Sequence, residues 1–248
     1  MYTSFAEVYD QLMDNVNYER WADFYAEMLH ANGVGVGEKV CECACGTGGL
    51  TLPLVRRGFQ MTGVDLSQEM LWIAAQKARK MGLGLPFIQQ DMRKLHLHRQ
   101  MDAVLATCDG VNYLLTDEDV CAFFRAAYAA MRPGGVLIFD VSTPWKLENV
   151  LGNEMIVEDR EDVTYMWQNS FNPKKGICEM ALCFFLREKD GRYRRIDEEQ
   201  KQRAHTREQL TALLHGCGFT DVHVYGNSRM ESPRDKEQRW HFTARRSE

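Results

Sequence analysis

The chain has 248 residues, of which 45% are hydrophobic and 26% charged, enough to bury a full core within one domain. Its formal net charge of -5 argues against a nucleic-acid partner, which needs a basic face. No apolar run approaches the roughly 20 residues of a membrane helix, and Met1-Tyr-Thr-Ser-Phe-Ala-Glu7 lacks the basic and apolar regions of a secretory signal. A cytoplasmic location without a membrane partner is expected, with the 8 cysteines reduced.

Helical spacing comes first along the chain. Phe5, Val8, Tyr9, Leu12 and Met13 fall at i, i+3, i+4, i+7 and i+8, and Trp21, Phe24, Tyr25, Met28 and Leu29 repeat the pattern, which predicts two amphipathic helices. Gly33, Gly35 and Gly37 break the chain before a β-prone run that reaches Glu42, passes into the turn Gly46-Thr47-Gly48-Gly49 and opens a helix-like run, Leu50 to Arg57. Gln60 to Val64 reads as a strand ending at Asp65. Ser67 caps a helix running to about Met81, with Gly82 as its stop. Phe87 to Gln90 and Asp102 to Thr107 are the next strands. Thr116 caps a helix whose first turn carries Asp117, Glu118 and Asp119, and Val136 to Val141 is an apolar strand suited to the middle of a parallel sheet. Alternation of this kind implies a doubly wound sheet.

The pattern changes after Leu151. Four β-prone runs, Met155–Glu161, Val163–Ser170, Ile177–Arg187 and Arg192–Arg203, predict an antiparallel meander inserted in the α/β chain. The α/β pattern resumes with a capping box, Thr206 and Gln209, on a helix to Gly216, followed by strands Phe219–Tyr225 and Arg239–Ala244.

A glycine turn between a strand and a helix lets a ligand sit against bare backbone, but does not say which ligand. The dinucleotide fingerprint fails here: counted from Gly46 its sixth position is Thr51, and counted from Ala44 its first glycine is missing. The phosphate loop fails as well, because no lysine follows the glycines. Cys41, Cys43 and Cys45 alternate along a strand, and without a second Cys-x-x-Cys cluster they read as buried packing rather than as a metal site.

What remains is acid-x-Ala-x-Gly-x-Gly, Glu42-Cys-Ala44-Cys-Gly46-Thr-Gly48, followed in order by Gly63-Val-Asp65-Leu-Ser-Gln-Glu-Met70, Gln90-Asp91-Met92, Asp102 to Tyr113, and Met131-Arg-Pro-Gly-Gly-Val-Leu-Ile-Phe-Asp140. This series resembles the class I S-adenosylmethionine-dependent methyltransferases over most of residues 1–142 and 203–246, within them the glycine-type and amino-sugar N-methyltransferases. Ala44 stands where many members carry glycine. The resemblance implies an α/β fold: a doubly wound, mostly parallel seven-stranded sheet, with a helical cover over residues 1–36, a cofactor-binding core over 37–150, an antiparallel β insertion after the fifth strand over 151–203 acting as acceptor lid, and completion of the sheet over 204–248.

The resemblance further implies S-adenosylmethionine as cofactor, with a small-molecule methyl acceptor as partner and a monomer or homodimer as assembly. A carboxylate at Asp65 suits both ribose hydroxyls, since this ligand has no phosphate to repel it. By resemblance, Gly46 belongs to the floor of the site, Asp91 takes the adenine amino group and the Met92 amide a ring nitrogen. Leu66 and Met70 flank the adenine, and the Ala44 and Thr107 carbonyls face the ammonium. Tyr9, Tyr18 and Trp21 are expected in the cover at the methionyl end. Asp109, just beyond the fourth strand, is the candidate catalytic base, with Asn112 and Tyr113 as further pocket candidates; His205 is read as a surface or cap-adjacent residue. The acceptor atom is expected to be an amine nitrogen. Oxygen, a tRNA or protein acceptor, a non-catalytic adenosyl-ligand sensor and, last, a dehydrogenase are the alternatives.

Overall fold

The computed structural model describes residues 6–13 and 16–248; Phe5, expected on the first helix, lies outside the described residues. The chain begins with helices α1 (Ala6–Leu12) and α2 (Tyr18–Ala31), the second capped by the Asn17 side chain, which accepts the Arg20 amide. Seven strands then build one sheet: β1 (Lys39–Cys43), β2 (Gln60–Asp65), β3 (Phe87–Gln89), β4 (Met101–Ala106), β5 (Met131–Ser142), β10 (Phe219–Tyr225) and β11 (Arg239–Arg246). Helices α3 (Thr51–Arg56), α4 (Gln68–Lys80), α5 (Asp117–Ala130) and α6 (Arg207–Gly216) fill the connections.

The strand order is β10-β11-β5-β4-β1-β2-β3, with β11 antiparallel to β5 and the pairs from β5 to β3 parallel. The order reverses at β1, which pairs β2 on one side and β4 on the other. A crevice therefore opens beyond the carboxyl ends of β1 and β4, where doubly wound sheets bind their ligands. Period-two alternation sends the side chains of β1 to two cores. Cys41 and Cys43 join Val104, Phe124 and Phe139 under α5 and α6, whereas Val40 joins Leu105, Ile138, Tyr25 and Leu54 under α2 and α3. The buried thiols thus pack as small hydrophobes.

The insertion is a separate antiparallel sheet, β6 (Met155–Asp159), β7 (Val163–Asn172), β8 (Ile177–Arg187) and β9 (Tyr193–Arg203), in that order. Its inner face, including Met180, Leu182, Phe184 and Ile196, packs with Leu147 of the preceding turn, with Ala6 and Val8 of α1 and with Met70 of α4. α1 therefore fills the gap between insertion and core.

Most expected boundaries fall within a residue or two of the observed ones. Two details differ. β5 starts five residues before the expected Val136, at Met131, with an irregularity in its pairing to β4 across Arg132-Pro133-Gly134-Gly135. The Thr206 hydroxyl caps the Gln209 amide at 3.2 Å, but the Gln209 side chain turns to Asp117 at 2.5 Å, so only half of the capping box forms. The Gln209 NH2 donates to a carboxylate on another helix, which draws the side chain away from the Thr206 amide that its oxygen would have accepted. No helix among the described residues is long and apolar enough to cross a membrane.

Candidate active site

The glycine turn opens at the end of β1 with Ala44 at φ +52°, Gly46 at +53° and Gly48 at +76°. The turn is tied down by Asp65 at the end of β2, whose carboxylate accepts the Gly46 amide at 2.8 Å and the Ser67 amide at 2.9 Å. Burial raises the Asp65 carboxyl, and these amides offset part of the rise. Glu42 projects from β1 beneath the turn. It is 2% exposed and accepts the hydroxyls of Thr107, at 2.7 Å, and Thr51. Burial pushes its carboxyl up to about 7 against those donors.

The cover meets the turn through Tyr18, the first residue of α2. A Cβ built on Gly49 would lie 2.6 Å from the Tyr18 ring, so the ring occupies the space that a side chain there would need. The Tyr9 and Tyr18 hydroxyls are hydrogen-bonded to each other, and burial raises both phenols. Trp21, one turn further on, lies against Arg239, whose guanidinium carbon is 5.0 Å from the ring centroid.

On the side expected to face the adenine, Leu66 is 59% exposed and its carbonyl accepts the Gln89 amide group at 3.1 Å. Met70 is buried against α1 and the insertion, so the two residues expected to flank one ring differ in access. Asp91 caps the short 3-10 turn Met92–Lys94. Arg93 chelates its carboxylate at 2.6 to 3.0 Å, holds it below the usual carboxylate range, and bridges to Asp119 at 2.7 Å. Met92 is half-buried on the main core.

At the other side of the crevice, Asp109 has φ +66° just beyond β4. Its carboxylate accepts Arg239 at 2.5 and 3.1 Å and the Ser142 hydroxyl at 2.8 Å, and the Lys146 ammonium donates to that hydroxyl at 2.9 Å. Burial alone would raise the Asp109 carboxyl, but Arg239 and Lys146 outweigh it and hold the group well below the ordinary range. A carboxylate so held is a poor proton acceptor, and the base role expected of Asp109 does not fit its surroundings.

Two further expectations need correction. Asn112 is fully buried as a clamp: it donates to the carbonyls of Ser142, at 3.0 Å, and Arg203, at 2.9 Å, and accepts the Ser142 amide at 2.9 Å. A pocket residue would have to give up three hydrogen bonds. His205 stands next to the cap residue Thr206, as expected, but it is not at the surface: it is buried, lies 3.3 Å from the Val111 carbonyl, and burial pushes it down to about 4. Tyr113 is 40% exposed and donates to Gln200 of β9 at 2.9 Å.

Arg239, Asp140, Ser142 and Lys146, which no sequence motif singles out for the site, surround Asp109. Arg239 bonds Asp140 as well as Asp109, and it opens the last strand at the edge where β5 ends. That placement was available from topology, because an antiparallel last strand must start at the ligand edge. A cleft of about 500 Å³ lies nearby, between the first turn of α2 and the β10–β11 connection, with Arg20, Trp21, Ser228 and Arg229 among its walls.

The residues around the turn suit a cationic, phosphate-free adenosyl ligand. Asp65 and Glu42 line it, and the Gly46 amide that a phosphate would use is already given to Asp65.

Comparison with known proteins agrees. A methyltransferase-domain family profile matches residues 40–135. A protein of Geobacillus sp. (strain WCH70), provisionally named a methyltransferase, is 33% identical over 245 residues, covering 99% of each chain. The glycine/sarcosine N-methyltransferase of Halorhodospira halochloris is 30% identical over 139 residues, 55% of this chain and 51% of that protein. An S-adenosylmethionine-dependent methyltransferase from Clostridium acetobutylicum ATCC 824 superposes with a TM-score of 0.88 at 32% identity, over 100% of this chain and 99% of that one. An amino pentose methyltransferase from Micromonospora echinaspora, solved with S-adenosylmethionine, shares the fold with a TM-score of 0.77 at 21% identity, over 100% and 98%. The chain belongs to the class I S-adenosylmethionine-dependent methyltransferases. It is an enzyme of that family, and binding of S-adenosylmethionine is a property of the family.

Proposed function

We propose that this enzyme transfers a methyl group from S-adenosylmethionine to the nitrogen of a small-molecule amine. The observation that carries the reading is Asp65: a buried carboxylate at the end of β2, bonded to the turn it faces and placed at the switch point of the sheet. Its role is to accept the ribose hydroxyls, with Ala44, Gly46 and Thr107 offering backbone groups to the methionyl part. Leu66 and Met70 flank the adenine, and the Met92 amide meets one of its ring nitrogens. Asp91, already chelated by Arg93, keeps room for at most part of the hydrogen bonding its adenine role requires. Tyr9, Tyr18 and Trp21 cover the methionyl end and exclude water, and the insertion, residues 151–203, shapes the acceptor pocket above them.

When bound, S-adenosylmethionine supplies a methyl group already activated on a sulfonium. The chain's contribution is then position: holding both reactants in line can be worth roughly 7–11 kcal/mol. The amine has to arrive neutral. Asp109 is held ionised by Arg239, and burial pushes His241 down to about 3, so neither is suited to take its proton at neutral pH. The proton leaves to solvent, and Asp109 serves to fix Arg239 and Ser142 at the acceptor edge. Nitrogen is favoured by the glycine/sarcosine N-methyltransferase above, and the fold is shared with an amino pentose methyltransferase. A ubiquinone biosynthesis O-methyltransferase of Methylocella silvestris, 28% identical over 150 residues, makes oxygen the second reading. A screen of amine and hydroxyl metabolites for methyl incorporation tests the proposal; turnover confined to hydroxyl acceptors contradicts the choice of nitrogen.

A further inference from the structure

We infer that Asp10 is a positioning residue: with Thr47 and Lys77 it latches α1 across the glycine turn and so sets how fast the ligand of that turn exchanges. The inference rests on the reading of the turn as an S-adenosylmethionine site. Three elements meet at the latch. The Thr47 hydroxyl, in the turn, donates to Asp10 Oδ1 at 2.6 Å. The Lys77 ammonium, on α4, donates to both Asp10 oxygens at 2.8 and 3.1 Å and to the Thr47 hydroxyl at 3.1 Å. Thr47 is 1% exposed, while Asp10 and Lys77 keep 41% and 31% of their side-chain surface in water. A buried hydroxyl is thus held from outside by a solvated ion pair.

The neighbouring residue gives the latch its meaning. Tyr9 precedes Asp10, and its hydroxyl bonds Tyr18, whose ring lies on Gly49. The cover therefore touches the turn twice, by an aromatic ring at Gly49 and by a carboxylate at Thr47. On its apolar side α1 sets Ala6 and Val8 against Met70 and the inner face of the insertion. α1 is only 7 residues long, too short to hold its place by its own hydrogen bonds. Its placement depends on packing and on Asp10. Release of a ligand from beneath it lifts α1, and that breaks the Asp10 contacts together. Exposed ion pairs contribute little, but the hydroxyl–carboxylate bond is charge-assisted, so the closure is firm without being permanent.

The test is stopped-flow dissociation of S-adenosylhomocysteine from the full-length enzyme, paired with hydrogen exchange of the α1 amides without ligand. Asp10→Ala should release the ligand about tenfold faster, the loss of one charge-assisted bond. Its α1 amides should exchange faster, and added salt should speed release from the parent enzyme more than from the variant. Lys77→Gln, at the solvated end of the latch, should show a smaller change in the same direction. The double exchange Asp10→Lys with Lys77→Asp should recover part of what Asp10→Ala loses. Release and α1 exchange unchanged in both single variants overturn the latch. A parent enzyme that binds no adenosyl ligand overturns the functional reading instead, and α1 exchange then decides the latch alone.

Discussion

Arg239 and Asp109, 130 positions apart in sequence, form a buried ion pair at the edge of the sheet where β4 and β5 end. One arginine serves two carboxylates there, because its guanidinium also meets Asp140 at the end of β5. Removing it by Arg239→Met leaves Asp140 without its cation and Asp109 with Lys146 alone, linked through Ser142. Breaking a buried pair typically costs about 3–5 kcal/mol, and urea unfolding should show a loss of that size. Asp109→Asn should cost less, because the amide still accepts from Ser142 and Arg239.

The same pair leaves the pH profile to the proposed amine acceptor. Asp109 is held below the usual carboxylate range, so it stays ionised throughout neutral pH. The rate should follow the neutral fraction of the amine acceptor, and its inflection should move when amines of different basicity are compared. An inflection that stays fixed across acceptors, and disappears in Asp109→Asn, would reinstate Asp109 as the base.

Gly49 and Tyr18 make a second pair. Gly49→Ala drives a methyl group into the Tyr18 ring, which lies 2.6 Å from the built Cβ, and must displace the cover. Affinity for S-adenosylmethionine should fall by about tenfold or more, the equivalent of ~1.4 kcal/mol, with a smaller change in melting temperature. Isothermal titration calorimetry beside thermal unfolding separates the two effects.

Glu42 makes stability depend on pH. Its folded carboxyl titrates near 7, above the ordinary carboxylate value, so the folded chain holds a proton that the unfolded chain has lost. That contribution is complete below the unfolded value and disappears as pH rises toward 7. Glu42→Gln, which keeps a group able to accept from Thr107, should flatten the decline. The expected gain for the variant at pH 8 is on the order of 2 kcal/mol. Equal slopes in variant and parent between acidic and neutral pH would show that Glu42 is not the cause.

The sequence was most informative where periodicity and turn chemistry act locally. Ser67, Thr116 and Thr206 cap the helices expected of them, and the strands carrying Asp65 and Val136–Val141 lie in the parallel sheet. Long-range polar pairing was illegible. Nothing in the spacing around Asp109 announces Arg239, and Asn112 reads as a pocket amide until Arg203 and Ser142 are found beside it. Asp91 looked available for a ligand, yet Arg93, two residues on, folds back to chelate it. Such partners are set by the fold as a whole rather than by local pattern.

On the proposed function, the turn between β1 and α3 holds an adenosyl ligand through Asp65. Calorimetry with S-adenosylmethionine, S-adenosylhomocysteine and NAD, on the parent enzyme and on Asp65→Ala, tests it most directly. Both adenosyl ligands should bind and NAD should not, and the variant should lose at least about tenfold in affinity, since each hydrogen bond to a charged group contributes roughly 1.5–3 kcal/mol. Unchanged affinity in Asp65→Ala, or binding of NAD alone, would contradict it.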